Sequence, residues 1–159
     1  MSEMPSDLQV SFLCDQNLGR LAKWLRIMGY DTEYMRVWNT MMIENAISAG
    51  RIVLTRNRKS AQKKNFILIE SDHVQEQIKQ VDRIFRLQSK ARWFTRCNVC
   101  NEVLMCVKPD FVMDLVPEYV SANHDNFAHC PRCSRIYWRG THPPKIMKTI
   151  KSILTSRER

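Results

Sequence analysis

The chain has no apolar run approaching the ~20 residues that cross a bilayer, and its polar start, Met1–Asp7, has no hydrophobic stretch of the kind a signal peptide needs. Neither a membrane span nor export by a cleaved leader is expected. Internal repeats and low-complexity linkers are also missing, so the parts of the chain are expected to pack together rather than flex freely. Acidic residues are in short supply, 16 against 25 basic, for a net charge of +9. Up to Lys90 the charge is +4 and beyond it +5, so the excess is spread and not held in a tail. Such a chain suits a polyanionic partner, because neutralising phosphates releases counterions. A merely soluble basic protein would show the same balance.

At 159 residues and 44% hydrophobic content the chain can bury one real core plus a small satellite. The satellite is announced by two Cys-x-x-Cys pairs, Cys97/Cys100 and Cys130/Cys133. Within each pair two thiolates can reach one metal ion from a tight turn, and the stretch between the pairs is long enough for a short β-sheet. That is the layout of a zinc ribbon. Redox dithiols are the competing reading, but they more often show one pair opening a helix. Four thiolates fill a tetrahedron and leave no place for substrate, so the zinc is expected to be structural. Cys14 and Cys106 remain, both in apolar surroundings and expected to be buried. Reduced thiols and no export signal point to the cytoplasm.

Ahead of the cysteines, strands and helices alternate. Val10–Cys14, Thr32–Met35, Ile52–Leu54 and Phe66–Ile69 read as strands. Asn17–Met28, a helix capped by Thr40 and running to Ala49, and Val74–Phe85 carry apolar residues at helical spacing, with Gly29 and Gly50 as stops. In the first helix Arg20, Lys23 and Arg26 fall outside the apolar stripe. This order predicts an α/β fold with a parallel sheet flanked by helices over 9–90. A small β zinc ribbon is expected over 91–142, entered by a strand at Trp93–Arg96 and left by one at Ile136–Trp138. A C-terminal helix and tail follow over 143–159.

In a parallel sheet ligands collect beyond the C-terminal strand ends. Asp15, Asn57 and Asp72 fall there, with Asn39 and Glu44 at or in the second helix. An acidic cluster at this place would hold divalent metal for phosphodiester hydrolysis, but only some of these positions are acidic. Glu44 reads equally well as a solvated helix face, and Asp72 as a cap for the Val74 helix. Trp93, Phe94, Tyr137 and Trp138 could stack on bases, although beside cysteines such residues more often form core around the metal.

The segments Phe12-Leu13-Cys14-Asp15, Leu18 to Arg26, Gly29-Tyr30-Asp31 and Gly50 to Arg56, with Ser71-Asp72 and Gln77, carry a family resemblance. It continues through Arg96-Cys97-x-x-Cys100-Asn101, Val116-Pro117, Cys130-Pro131-x-Cys133 and Ile136-Tyr137-Trp138-x-Gly140-x-His142. Together these resemble the PIN-like ribonuclease domain with fused zinc ribbon found at the C-terminus of Mut-seven exonucleases, over about Ser11 to Lys148. The resemblance implies a PIN-like fold and metal-dependent endoribonuclease chemistry, with Mg or Mn in an acidic pocket and Asp15 as its first acidic residue. Relatives are expected to carry aspartate at the position of Asn39, a carboxylate at Met41 and aspartate at Asn57. An amide contributes no net charge and cannot act as a base. Asp15, Glu44 and Asp72 are left as candidate catalytic residues, with Asn39 and Asn57 at degenerate positions.

Arg20, Lys23, Arg56 and Arg58 are the candidate RNA contacts, continued by Lys59, Lys63 and Lys64. Three functions remain open. One is an RNA-binding protein with weak or lost nuclease activity, another an active Mg/Mn-dependent endoribonuclease, and the third a zinc-ribbon adaptor with a protein partner.

Overall fold

The short apolar runs form a four-stranded sheet in the computed structural model, in which residues 9–140 and 142–156 are described. The strands are β1 (Phe12–Cys14), β2 (Thr32–Tyr34), β3 (Ile52–Thr55) and β4 (Phe66–Leu68). All are parallel, in the order β2-β1-β3-β4. Helix α1 (Gly19–Ile27) joins β1 to β2, α2 (Thr40–Ser48) joins β2 to β3, and α3 (Val74–Phe85) follows β4. Because β2 and β3 flank β1 on opposite sides, the strand order reverses between β1 and β3. A crevice opens beyond their C-terminal ends at such a point.

Side chains alternate across the two central strands. Phe12, Cys14 and Leu54 join Leu21, Leu25, Ile78, Val81 and Ile150 in one buried cluster. Ile150 comes from α6 (His142–Thr155), which returns from the end of the chain to pack on the first domain. Leu13 and Val53 point the other way, onto Met35, Ile43, Ala46 and Phe66. Burial on both faces is why β1 is apolar at every position. Each large side chain so buried contributes about 1.5–3 kcal/mol.

Three local expectations are corrected. The cap of α2 is Asn39, whose side-chain oxygen accepts from Met42 N at 3.0 Å; Thr40 is the first helical residue. Asp72 does not cap α3, where His73 holds the N-cap position without a side-chain bond. Arg26 is buried, and its guanidinium donates to Thr32 O at 2.8 Å and to Asn98 O and Val99 O at 3.3 and 3.0 Å.

The segment entering the ribbon is not a strand. Its backbone bonds go to the end of α1 instead: Arg92 N donates to Met28 O and Phe94 N to Ile27 O, both at 2.9 Å. Gly29 makes this approach possible. It sits at φ +91, and a Cβ there would lie 2.1 Å from Arg92 O. Only Arg96 pairs across, with Val103. The ribbon sheet itself is antiparallel, β5 (Met105–Val107), β6 (Phe127–His129) and β7 (Ile136–Trp138) in that order. Two short helices, α4 (Pro109–Val112) and α5 (Glu118–Asn123), lie between β5 and β6 and give Val112 and Val120 to a small core with Phe127. Cys106, expected to be buried, is exposed on edge strand β5, while Cys14 is buried as expected.

Candidate metal centre and nucleic-acid interface

The two knuckles have the same backbone. In the first, Asn101 N donates to Cys97 O and Cys97 N to Glu102 O; in the second, Ser134 N donates to Cys130 O and Cys130 N to Arg135 O. Asn101 and Ser134, each just after a second cysteine, take the left-handed conformation at φ 70 and 63. These turns bring the four Sγ atoms within 4.8 Å of one another. Neighbouring sulfurs stand 3.2–3.7 Å apart. Zn–S bonds of ~2.3 Å in a tetrahedron ask for about 3.8 Å. The donor set and its spacing therefore fit, and the four cysteines could hold a zinc ion.

The surroundings favour bound thiolate. Burial alone would raise the Cys133 thiol, but hydrogen bonds from Arg135 and the neighbouring sulfurs bring it down to about 6. At Cys100 the balance runs the other way, and burial pushes the thiol up to about 12. The Tyr137 hydroxyl lies 3.0 Å from Cys97 Sγ, and burial followed by that sulfur raises its pKa, keeping it a donor. The knuckle is bolted to the α/β domain by Arg26 and by Asn101, whose side chain donates to Asp31 Oδ1 at 2.7 Å and accepts from Thr32 N at 2.9 Å.

At the strand ends Asp15 is 1% exposed. Its carboxylate accepts from Thr55 Oγ1 at 2.7 Å, Arg56 N at 2.8 Å and Asn17 N at 2.9 Å. It therefore clasps β1 to β3 at the crevice. Asn57 is exposed and its Oδ1 accepts from Lys59 N and Ser60 N, capping a 3-10 turn. Asn39 and Asn57 thus keep a capping oxygen that an aspartate would also supply, without its charge. Met41 and Glu44 are exposed on α2. Asp72 is exposed and lies 3.5 Å from His73 Nε2.

Asp72 lines a cleft of about 740 Å³ together with Arg20, Tyr34, His73 and Glu76; neither Asp15 nor Glu44 lines it. Among the described residues the four cysteines are the one group of three or more acidic, His or Cys side chains close enough to share an ion. The carboxylates at the strand ends do not converge in the way hard cations require. Of the basic residues, Arg20, Lys23 and Arg58 are exposed, as are Lys59, Lys63 and Lys64. Arg56 instead donates to Ile69 O and Glu70 O at 2.9 and 2.6 Å, bracing the end of β4.

A family model described as the Mut7-C RNAse domain matches residues 10–150, spanning both the parallel sheet and the cysteine cluster. The chain belongs to the Mut7-C RNAse domain family. Neither the curated proteins nor the solved structures give a significant match. For a Mut7-C domain the sulfur cluster and the strand-end position of Asp15 were readable in the sequence. The bonds of Arg26 and Asn101 and the close approach at Gly29 were not, because they exist only where the ribbon segment meets the α/β body. No helix among the described residues is long and apolar enough to cross a membrane.

Proposed function

We propose that this Mut7-C protein binds RNA and has weak or lost nuclease activity. The condition of its acidic positions carries the reading. Asp15 is buried and already accepts three protein hydrogen bonds, two of them on Oδ2. The oxygens of Asn39 and Asn57 serve local backbone amides. Glu44 and Asp72 are exposed and belong to no cluster of ligands among the described residues. Metal-assisted phosphodiester hydrolysis needs several carboxylates to offset two cations. Each absent charge at ~4 Å removes about 4 kcal/mol of attraction at an effective dielectric of 20, before desolvation is subtracted.

Thinning the acidic residues around the strand ends weakens cation binding there and leaves the nearby basic side chains less opposed for binding phosphate. Arg20 stands in the cleft and Lys23 one turn further along α1. Arg58, Lys59, Lys63 and Lys64 extend the positive surface along the connection between β3 and β4. The zinc acts structurally in this reading, by fixing the ribbon against α1.

The test is to incubate full-length protein with labelled single-stranded RNA, with and without Mn²⁺, and follow both retention and cleavage. Binding that weakens steeply between about 50 and 200 mM salt, without turnover, is expected. Brisk Mn²⁺-dependent cleavage by pure protein would refute lost catalysis. Absence of binding at low salt would refute the RNA reading itself.

A further inference from the structure

The seam between the two modules contains a second recess, about 620 Å³, at the opposite end of α1 from the mouth. Its wall is aromatic: Trp93, Phe94, Phe127, Tyr137 and Trp138 line it, with Ile27 from the end of α1. Trp93 packs on the main core and Trp138 on the small ribbon core, yet both, like Phe94 and Tyr137, are only half-buried and keep part of the ring open. Arg96 and Arg139 also line it, against the single carboxylate of Asp125, and Asn126 offers both a donor and an acceptor.

Phe94 is the unusual residue of this wall. It stands at φ +60, in the left-handed region that a bulky side chain rarely occupies. The bond from Phe94 N to Ile27 O holds it there. Glycine or asparagine would suit the backbone better, so local folding does not account for an aromatic ring. Strain of this kind is kept where the displayed side chain is used.

The two recesses are joined by one face of α1. Arg20, Lys23 and Ile27 are spaced i, i+3 and i+7, which places them on a common ridge. Arg20 lines the mouth and Ile27 the seam, about 10 Å apart at 1.5 Å per residue. Lys23 is exposed between them. A cation, a second cation and an aromatic recess in sequence match a phosphate, a phosphate and a base.

We propose that the seam groove takes an unpaired nucleobase of single-stranded RNA whose backbone runs along Arg20 and Lys23 toward the mouth. The ribbon then reads a base a few nucleotides from the phosphates held at the strand ends. A duplex is excluded, since its bases are stacked inside and cannot reach the rings. An apolar peptide is disfavoured because both the rim and the approach are positive. The inference rests on the RNA-binding reading above.

The experiment compares two strands of about twelve nucleotides, oligouridylate and the same sugar–phosphate chain lacking bases, on wild-type protein and on Phe94→Gly. Glycine relieves the left-handed strain while deleting the ring. Wild type is expected to bind the base-bearing strand roughly 5- to 100-fold more tightly, with quenching of tryptophan fluorescence. Phe94→Gly should lose that preference and keep its affinity for the abasic strand, with an unchanged thermal unfolding midpoint showing that the fold is intact. Trp138→Leu provides the same comparison at a second ring. Equal binding of both strands by wild type overturns the groove and leaves phosphate binding intact. Binding of neither strand overturns the RNA reading and the groove with it.

Discussion

The side-chain amide of Asn101 donates to Asp31 Oδ1 at 2.7 Å, joining the residue after the first cysteine pair to the start of β2. Arg51 holds the same carboxylate from the other side in a two-point pair, at 2.9 and 3.1 Å. One acid thereby ties a cysteine knuckle to the edge of the parallel sheet.

Replacing Asp31 by Ala is expected to cost about 1–2 kcal/mol, since the carboxylate is partly exposed and its bonds are charge-assisted. Burial alone would raise this carboxyl, but the hydrogen bonds from Arg51 and Asn101 hold it below its ordinary value of 3.8. A group depressed in the fold stabilises it fully above that value and ceases to do so as pH falls through the folded value. Urea midpoints should therefore separate wild type from D31A at pH 7 and converge in strong acid below 3.8. A difference that persists unchanged there would contradict the assignment.

Asp15→Asn should destabilise the protein by about 1–3 kcal/mol. An amide in place of the carboxylate turns a donor either toward Asn17 N or toward Thr55 Oγ1 and Arg56 N, where both oxygens now accept. Thermal unfolding measures this directly. An unchanged midpoint would mean that the clasp between β1 and β3 is not structural.

Gly29→Ala tests the seam. The added methyl meets Arg92 O at 2.1 Å, at a backbone angle glycine alone adopts easily. About 2–4 kcal/mol of destabilisation is expected, read from denaturant midpoints. Gly50→Ala serves as control, because its φ of +80 is similar but nothing lies within 4 Å of the new atom. Equal losses would show that conformation matters and the close approach does not.

Cys97→Ser should abolish stoichiometric zinc, measured by atomic absorption, and release the ribbon sheet. Tyr137→Phe removes a hydroxyl bonded to that sulfur and should weaken zinc retention against a chelator without losing the metal. One zinc per chain surviving the serine change would remove Cys97 from the ligand set.

Legibility of the sequence followed the range of the interaction. β1 and β3 were clear because strands covered on both faces need apolar residues throughout, and α1 to α3 because their buried positions repeat at helical spacing. The cysteine pairs were clear because their chemistry is local. Arg26 misled because charge in a helix usually means solvent, whereas its guanidinium is taken up by the Thr32 carbonyl and by two more carbonyls 72 and 73 residues away. Phe94 and Trp93 read as strand by type, yet the end of α1 captured their backbone. Cys106 looked buried by its neighbours, but β5 is an edge strand. The hydrogen bonds that hold Asp15 depend on Thr55 and Arg56 arriving at the end of β3, which residue type at one position does not reveal.

The return of α6 has a consequence for biogenesis. Ile150 completes the cluster that Phe12 begins, so the α/β body awaits the last helix before its interior is sealed. Everything from Trp93 to Trp138 is synthesised in between, as an excursion whose two feet stand on one unfinished structure. A chain that stops short of α6 therefore leaves this cluster open on the side that Ile150 covers.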